Sequence, residues 1–146
     1  MTQGVYDDVL LATDGSTPAS RALDRAVGLA IETGATLHVL SVVDTADLDL
    51  FVAPEADGVD DILRSAAEAA VDDATERAEA AGVDVVRAVR VGAPHREICA
   101  YADEAGADIV VVGTHGRTGL SRALLGSVAA RVVRSSTVPV LVVPPV

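Results

Sequence analysis

The chain has 146 residues, which suits one domain with a substantial core, and half of those residues are apolar. Its formal net charge of −11 argues against nucleic acids and anionic membranes as partners, because such surfaces repel an acidic protein. No apolar run approaches the roughly 20 residues that span a bilayer, and the opening MTQGVYDD has neither a basic region nor an apolar targeting segment. We therefore expect a cytoplasmic protein.

The composition is acidic and lacks lysine, so arginine supplies every basic residue other than histidine. Such a composition is typical of proteins adapted to high intracellular salt, where repulsion is screened within about 3 Å at 1 M. Codon bias toward Ala, Arg, Asp, Gly and Val would produce much the same composition, so both explanations stay open. The single cysteine, Cys99, excludes an internal disulfide, and the wide separation of His38, His95 and His115 argues against a zinc site.

The first elements in chain order are predicted to be a strand and a helix. Asp8–Thr13 is apolar enough for a buried strand, and Asp14-Gly15-Ser16 is the turn that ends it. The helix that follows has Ser16 or Thr17 as its N-cap, Pro18 in its first turn and Gly34 as its stop. Apolar residues repeat along one face of this helix, at Leu23, Ala26, Val27, Ala30 and Ile31.

Thr36–Val43 is the second strand, and the short joints of this strand–helix–strand unit predict parallel pairing. The acidic, irregular segment Asp44–Asp61 is either a lid over a ligand or a solvated loop. We favour the loop because its apolar side chains are few. A helix over Asp61–Ala81 and a third strand over Val83–Val91 follow. Valines alternate with polar residues in that strand, which predicts an edge strand half open to water.

The second half of the chain continues the alternation of helices and strands. A helix is predicted over Pro94–Ala105, a strand over Ile109–Val112, a helix over Ser127–Arg134 and a last strand within Val138–Val143. The last strand is apolar but flanked by prolines, which suits an edge that another chain covers. This order predicts an α/β fold: an open, doubly wound, five-stranded parallel sheet with helices on both faces, in one domain spanning residues 1–146.

The glycine-rich stretch Gly113–Val128, GTHGRTGLSRALLGSV, joins the fourth strand to the last helix. Gly113 and Gly116 allow a sharp turn and a close approach of backbone N–H groups to a ligand. Gly126-Ser127 opens a helix whose first N–H groups have no intrahelical partners. With a histidine and an arginine as further donors, the loop is predicted to cradle a phosphate. The alternative is an ordinary glycine-rich loop that binds nothing. The spacing does not match the dinucleotide-binding motif, and the absence of lysine excludes the P-loop.

Ligands of doubly wound sheets bind beyond the carboxyl ends of the strands, where the strand order reverses. If the strand order is 3-2-1-4-5, it reverses between the first and fourth strands. Asp14 and the glycine-rich stretch would then face one crevice, and Val42 would lie one strand further along. A carboxylate repels phosphates, so Asp14 suits sugar hydroxyls, while the backbone around Val42 suits the edge of a base. Together these features predict a nucleotide. The alternative for Asp14 is an Asx-turn or helix-capping residue.

Two segments resemble the universal stress protein family. One is LLATDGSTPAS near the start, and the other is a Gly-x-x-Gly, nine residues, Gly-Ser pattern formed by Gly113, Gly116, Gly126 and Ser127. The similarity covers essentially the whole chain and is weakest over Asp44–Asp61. The resemblance implies an adenine nucleotide alpha hydrolase-like fold with the strand order 3-2-1-4-5. It also implies a homodimer that pairs the last strand, Val138–Val143, with its copy.

The glycine-serine motif is that of the family's ATP-binding branch, so the resemblance implies ATP as the ligand. Because the chain is acidic, we expect a triphosphate to need salt or a divalent cation, with Mg²⁺ or Mn²⁺ as the candidates. By position, Asp14 would hold the ribose, Val42 would meet the adenine through its backbone, and the motif would surround the phosphates. The residues expected to bind the nucleotide are Thr13, Asp14, Gly15, Ser16, Val42, Gly113, His115, Gly116, Arg117, Gly126, Ser127 and Val128.

Three functions remain open at this point. The favoured one is an ATP-binding stress-response protein that acts as a homodimeric sensor or switch. The second is a slow ATP hydrolase or phosphotransferase that uses the same crevice. Because the sequence shows no lysine, carboxylate pair or Ser-His-Asp arrangement, we expect no catalytic residues and at most weak ATPase activity. The third is a scaffold whose glycine-rich loop has only a structural role.

Overall fold

Five parallel strands form one sheet in the computed structural model, which describes residues 5–45, 57–114 and 125–145. The strands are β1 Asp8–Ala12, β2 Thr36–Asp44, β3 Val85–Gly92, β4 Ile109–Gly113 and β5 Val140–Val143. They lie in the order β3-β2-β1-β4-β5, so the predicted order is confirmed. The strand order reverses between β1 and β4, which pair directly.

Helices cover both faces of the sheet. They are α1 Thr17–Thr33, α2 Asp57–Ala80, α3 Pro94–Ala105 and α4 Ser127–Ser135. On one face, α1 and α2 share an apolar core with the strands, and α3 and α4 share a second core on the opposite face. The predicted doubly wound α/β architecture is therefore confirmed.

The central strand β1 anchors both helix layers. Its residues Val9, Leu10 and Leu11 are fully buried. Val9 and Leu11 belong to the core beneath α1 and α2, and Leu10 belongs to the core beneath α3 and α4. This division follows from the alternation of side chains along a strand. Each such buried side chain stabilises the fold by about 1.5–3 kcal/mol.

The ends of α1 are set by local residues, as the sequence predicts. Ser16 is the N-cap, and its Oγ accepts a hydrogen bond from the Ala19 N–H at 3.4 Å. Gly34 ends the helix in a left-handed conformation with φ of 72°. The predicted burial of Ile31 is wrong, because its side chain is 56% exposed. The buried face is centred on Ala22, Ala26 and Ala30, and the 100° turn per residue carries Ile31 away from it.

Helix α2 begins earlier than predicted. Its first residue is Asp57, so the end of the segment Asp44–Asp61 is helical rather than irregular. Residues 46–56 of that segment lie outside the described part of the chain. The alanine repeat does form the buried face, with Ala67, Ala70, Ala74 and Ala78 against the sheet. Ala81 lies beyond the helix end and is exposed, which corrects the predicted end of that face.

Strand β3 lies at one edge of the sheet, as its alternating sequence predicts. Val86 on this strand is 44% exposed. The neighbouring Arg87 guanidinium lies 3.3 Å from a carboxylate oxygen of Glu68 and also pairs with Asp72, both on α2. Charged side chains therefore flank this edge.

A chain of polar side chains joins β1, β2 and α3 inside the protein. His38 is only 8% exposed, its Nδ1 lies 2.8 Å from the Tyr101 hydroxyl, and its Nε2 lies 2.9 Å from Asp8 Oδ1. A carboxylate can only accept, so the proton of the neutral imidazole lies on Nε2, and Nδ1 accepts the Tyr101 proton. Nothing in the spacing of these three residues along the sequence indicates that they meet.

Arg90 of β3 lies over the ring of Tyr101. Its guanidinium carbon lies 5.0 Å from the centre of the phenol ring, and it pairs with Glu97 at 3.7 Å and with Glu104. Burial raises the pKa of the Tyr101 phenol above its ordinary value of 10.0; the Arg90 charge opposes this increase and the Asp8 charge adds to it. The phenol therefore stays protonated at neutral pH and donates to His38.

We expect Tyr101→Phe to remove part of the stability loss that the wild-type protein shows above a pH of about 10. The folded state holds the phenolic proton more tightly than the unfolded chain does. The stability contribution is therefore complete below the unfolded pKa and is lost as the pH rises through the folded pKa. Lysine, which would titrate in the same range, is absent. Urea unfolding of both proteins along an alkaline pH series measures the difference, and identical pH slopes would contradict this role of Tyr101.

Candidate functional site

A cavity of about 350 Å³ opens beyond the carboxyl ends of β1, β2 and β4, where the strand order reverses. This is the expected place for a ligand in a doubly wound sheet, and the volume lies within the range of small-molecule sites. Seven of the predicted binding residues line it: Thr13, Asp14, Val42, Gly113, Gly126, Ser127 and Val128.

The turn after β1 is held by its own hydrogen bonds. Asp14 Oδ1 accepts from the Ser16 N–H at 2.9 Å, which makes an Asx-turn, and Thr13 Oγ1 accepts from the Gly15 N–H at 3.1 Å. Asp14 therefore has the turn-forming role that was the alternative prediction from the sequence, and it also lines the cavity. Gly15 and Ser16, also predicted to bind the ligand, lie in this turn beside the cavity lining, where Ser16 caps α1.

Gly15 is required by the path of this turn. Its φ of 76° lies in the left-handed region that side chains disfavour. A Cβ added at this position would lie 3.0 Å from the Ala70 Cβ of α2. The turn therefore packs directly on α2 and fixes the distance between α2 and the end of β1.

The backbone of β2 faces the cavity at Val42. The last β1 residue paired with β2 is Ala12, opposite Leu40, and the Leu40 carbonyl accepts a hydrogen bond from the Thr13 N–H at 2.9 Å. Alternate residues of a strand direct their N–H and C=O to the same side. The N–H and C=O of Val42 consequently point in the same direction as those of Leu40, beyond the end of β1 and toward the cavity that Val42 lines.

The start of α4 forms another wall. Gly126 is its N-cap without a side-chain cap, and the Gly126 N–H donates to the Thr114 carbonyl at 2.7 Å. Gly126, Ser127 and Val128 line the cavity, and the first turn of α4 contains no acidic residue. The first N–H groups of the helix and its dipole therefore make this wall favourable to an anion.

The three remaining predicted residues, His115, Gly116 and Arg117, lie outside the described residues. Among the described residues of the lining, the charged side chains are the carboxylates of Asp14 and Asp44. In this part of the site, the groups that can attract a negatively charged ligand are therefore backbone N–H groups rather than basic side chains.

Several residues that line the cavity carry no signal in the sequence. They come from the end of β2 and from α2 and α3, and include Ser41, Leu63, Ala66, Ala67, Pro94 and Ile98. The helical periodicity of α2 and α3 indicates which face of each helix is buried, but only the packed fold shows which turn of each helix reaches the cavity.

No three His, Cys, Asp or Glu side chains converge to hold a metal ion within residues 5–45, 57–114 and 125–145. In the same described ranges, no helix combines the length and apolar character needed to cross a membrane.

Comparison with known proteins gives a consistent result. The sequence model of the universal stress protein family matches residues 6–144 of this chain. A universal stress protein of Methanocaldococcus jannaschii is 35% identical over 145 residues, which cover 97% of this chain and 84% of that protein.

Solved structures show the same similarity. The structure of a second protein of Methanocaldococcus jannaschii superposes with a TM-score of 0.83 at 31% identity, covering 96% of each chain. A universal stress protein solved in complex with cAMP superposes with a TM-score of 0.71 at 33% identity, covering 97% of this chain and 98% of that one.

We expect Gly15→Ala to lower the free energy of unfolding by about 1–2 kcal/mol, because it forces a side chain into the left-handed region and against α2. Gly28→Ala is the matched control, because its new Cβ would meet nothing within 4 Å on α1. It should raise stability by about 0.5–1 kcal/mol. Urea titrations measure both changes. Equal effects of the two substitutions would show that the turn after β1 tolerates a side chain.

Proposed function

Because this chain belongs to the universal stress protein family, we propose that it binds ATP in the cavity beyond β1, β2 and β4. We further propose that it works as a cytoplasmic homodimeric sensor or switch in the stress response. Nucleotide binding has a precedent in the related universal stress protein that was solved in complex with cAMP.

The observation that carries the proposal is the backbone of Val42 at the cavity. An N–H and a C=O that point the same way offer one donor and one acceptor. One edge of adenine offers the complementary pair, a ring nitrogen that accepts and an amino group that donates. Apolar lining residues such as Leu40, Ile98 and Val112 would pack against the base, as in most small-molecule sites.

Asp14 is the proposed ribose ligand. Its Oδ1 accepts from the Ser16 amide, and a carboxylate has acceptor sites on both oxygens. The turn therefore orients the carboxylate in the cavity, where it can also accept from sugar hydroxyls. The proposed roles of Asp14 as a turn residue and as a ligand are compatible.

The phosphates are proposed to lie at the start of α4, on the N–H groups that follow Gly126. Gly113 precedes this wall on β4, and the predicted contributions of His115, Gly116 and Arg117 belong to the same proposal. A triphosphate brings negative charge close to Asp14 and Asp44. Divalent cations and high salt would reduce that repulsion, so ATP is proposed to bind with Mg²⁺ or Mn²⁺.

The direct test is mass spectrometry of the small molecules released when the purified protein is denatured, followed by ATP titration with Mg²⁺ at high salt. Intact ATP, retained over hours, is the expected result. Steady accumulation of ADP would indicate a hydrolase instead. Absence of both retained nucleotide and measurable binding would contradict the proposal and favour a scaffold.

The proposed homodimer pairs β5 with its copy. β5 is the sheet edge opposite β3, and Leu141 on it is 38% exposed. Further large apolar side chains are exposed on and just before the neighbouring helix α4, at Leu125, Val128 and Val133. An open strand edge beside apolar side chains suits pairing with a second copy.

We expect Asp14→Asn to weaken ATP binding about tenfold, the range for a hydrogen bond to a charged group. Asparagine keeps a carbonyl oxygen for the Ser16 amide but replaces the second carboxylate oxygen with a donor. The far-ultraviolet circular dichroism should therefore stay unchanged. Asp24→Asn makes the same charge change at an exposed position of α1 and serves as the control in the ATP titration. Equal affinities of the two variants would remove Asp14 from the proposed site.

We expect Leu141→Asp to give monomers, because the new carboxylate would be desolvated at the paired β5 edges. Val86→Asp places the same charge on the other edge strand, at a residue of similar exposure, and should leave the dimer intact. Sedimentation velocity distinguishes the species. A dimer that survives Leu141→Asp, or that Val86→Asp disrupts, would move the interface away from β5.

A further inference from the structure

We infer that the hydrogen bond between Tyr101 and His38 positions the α3 wall of the cavity, which makes Tyr101 a positioning residue for nucleotide binding. That the ligand is a nucleotide rests on the proposed function. That Tyr101 positions α3 rests on the buried hydrogen bonds that join Asp8, His38 and Tyr101.

One face of α3 connects this polar chain to the cavity. Pro94, Ile98 and Tyr101 follow one another at spacings of four and three residues, so they lie along the same side of the helix. Pro94 and Ile98 line the cavity, while Tyr101 bonds to His38. At a rise of 1.5 Å per residue, Tyr101 lies roughly 10 Å along the helix from Pro94.

Strand β2 also connects the polar chain to the cavity, but on β2 the cavity residue follows the polar residue in the sequence, whereas on α3 it precedes it. His38 and Val42 lie on one face of β2, separated by roughly 13 Å of extended chain. His38 bonds to Tyr101, and Val42 lines the same cavity as Pro94 and Ile98. The Tyr101–His38 bond therefore fixes how far α3 can slide along β2, and with it the positions of Pro94 and Ile98 in the cavity wall.

Apolar packing holds α3 against the sheet, but it does little to fix the position of α3 along the direction of β2. Ile98 and Ala102 pack with Leu10 and Leu40 in one core, and such contacts have no preferred direction. A hydrogen bond of 2.8 Å is directional and tolerates displacements of only a few tenths of an ångström. Asp8 keeps the imidazole in the tautomer that accepts from Tyr101, because its carboxylate accepts a hydrogen bond from the Nε2–H group.

Arg90 holds the outer flank of α3 in a different way. Its ion pairs with Glu97 and Glu104 are partly exposed, so salt screens them. The Tyr101–His38 bond is buried and depends little on salt. At high ionic strength, the buried bond therefore carries more of the positioning than the ion pairs do.

Substitutions at His38 separate positioning from general stability. The amide of His38→Asn can present its oxygen near the former Nδ1 and keep the Tyr101 bond, while losing Asp8. The longer amide of His38→Gln reaches toward Asp8 and loses the acceptor for Tyr101. Tyr101→Phe removes the same bond from the α3 side and retains the ring that Arg90 covers. Thr137→Val is the control, because it removes an exposed bond of 3.0 Å to Asp103 on the outer side of α3.

Two measurements on the full chain test the inference: ATP titration with Mg²⁺ at high salt, and hydrogen exchange of the α3 amides without nucleotide. We expect Tyr101→Phe and His38→Gln each to weaken ATP binding about fivefold, with no further loss when the two are combined. His38→Asn and Thr137→Val should stay within about twofold of wild type. The amides near Ile98 should exchange about fivefold faster in Tyr101→Phe than in Thr137→Val.

Equal ATP affinities of Tyr101→Phe and Thr137→Val would overturn the inference, as would a loss in His38→Asn as large as that in His38→Gln. A wild-type protein that binds no ATP would contradict the proposed function instead. In that case the exchange measurement still decides the positioning, because unchanged exchange near Ile98 in Tyr101→Phe would overturn it without reference to any ligand.

Discussion

The early end of β1 is the constraint on which the site depends. β1 pairs with β2 only as far as Ala12 opposite Leu40, whereas β2 continues to Asp44 beside β3. Because β2 extends beyond the end of β1, a step forms in the sheet and leaves the cavity beyond β1. The backbone N–H and C=O of Val42 face this cavity. The Asx-turn of Asp14 and the left-handed Gly15 allow the chain to leave the sheet at that point and enter α1. The anchored β1 beneath them holds the step in place, because its residues are buried on both faces.

The architecture could be predicted from the sequence because it depends on local patterns. Apolar runs ended by turn residues located the strands, and Ser16 and Gly34 marked the ends of α1. The ends of three strands, with their glycines and Asp14, indicated where a ligand would bind. The helical walls of the cavity could not be predicted in this way. Whether Ile98 or Leu63 reaches the cavity depends on how each helix slides along the sheet. That position follows from packing across the fold, and sequence periodicity contains no information about it.

The corrections and the omission have separate origins. Ile31 and Ala81 fitted a repeating pattern, but the helical turn carries Ile31 away from the buried face, and Ala81 lies beyond the end of α2. His38 looked isolated, because its partners Asp8 and Tyr101 are brought to it by β1 pairing and by the return of α3 over the sheet. A polar side chain in an otherwise apolar strand was the available signal, since a buried imidazole requires partners.

The two edges of the sheet differ in chemistry. Arg87, with Glu68 and Asp72, surrounds the β3 edge with charge, while the β5 edge presents Leu141. Pairing two copies through β5 by a two-fold axis would use the same surface of each copy and leave both β3 edges facing outward. Adding another strand at a β3 edge would bring like charges together and disrupt the ion pairs between Arg87 and α2. Growth of the sheet would thus stop at two copies. The chemical difference between the two edges would therefore protect a concentrated protein from forming fibres.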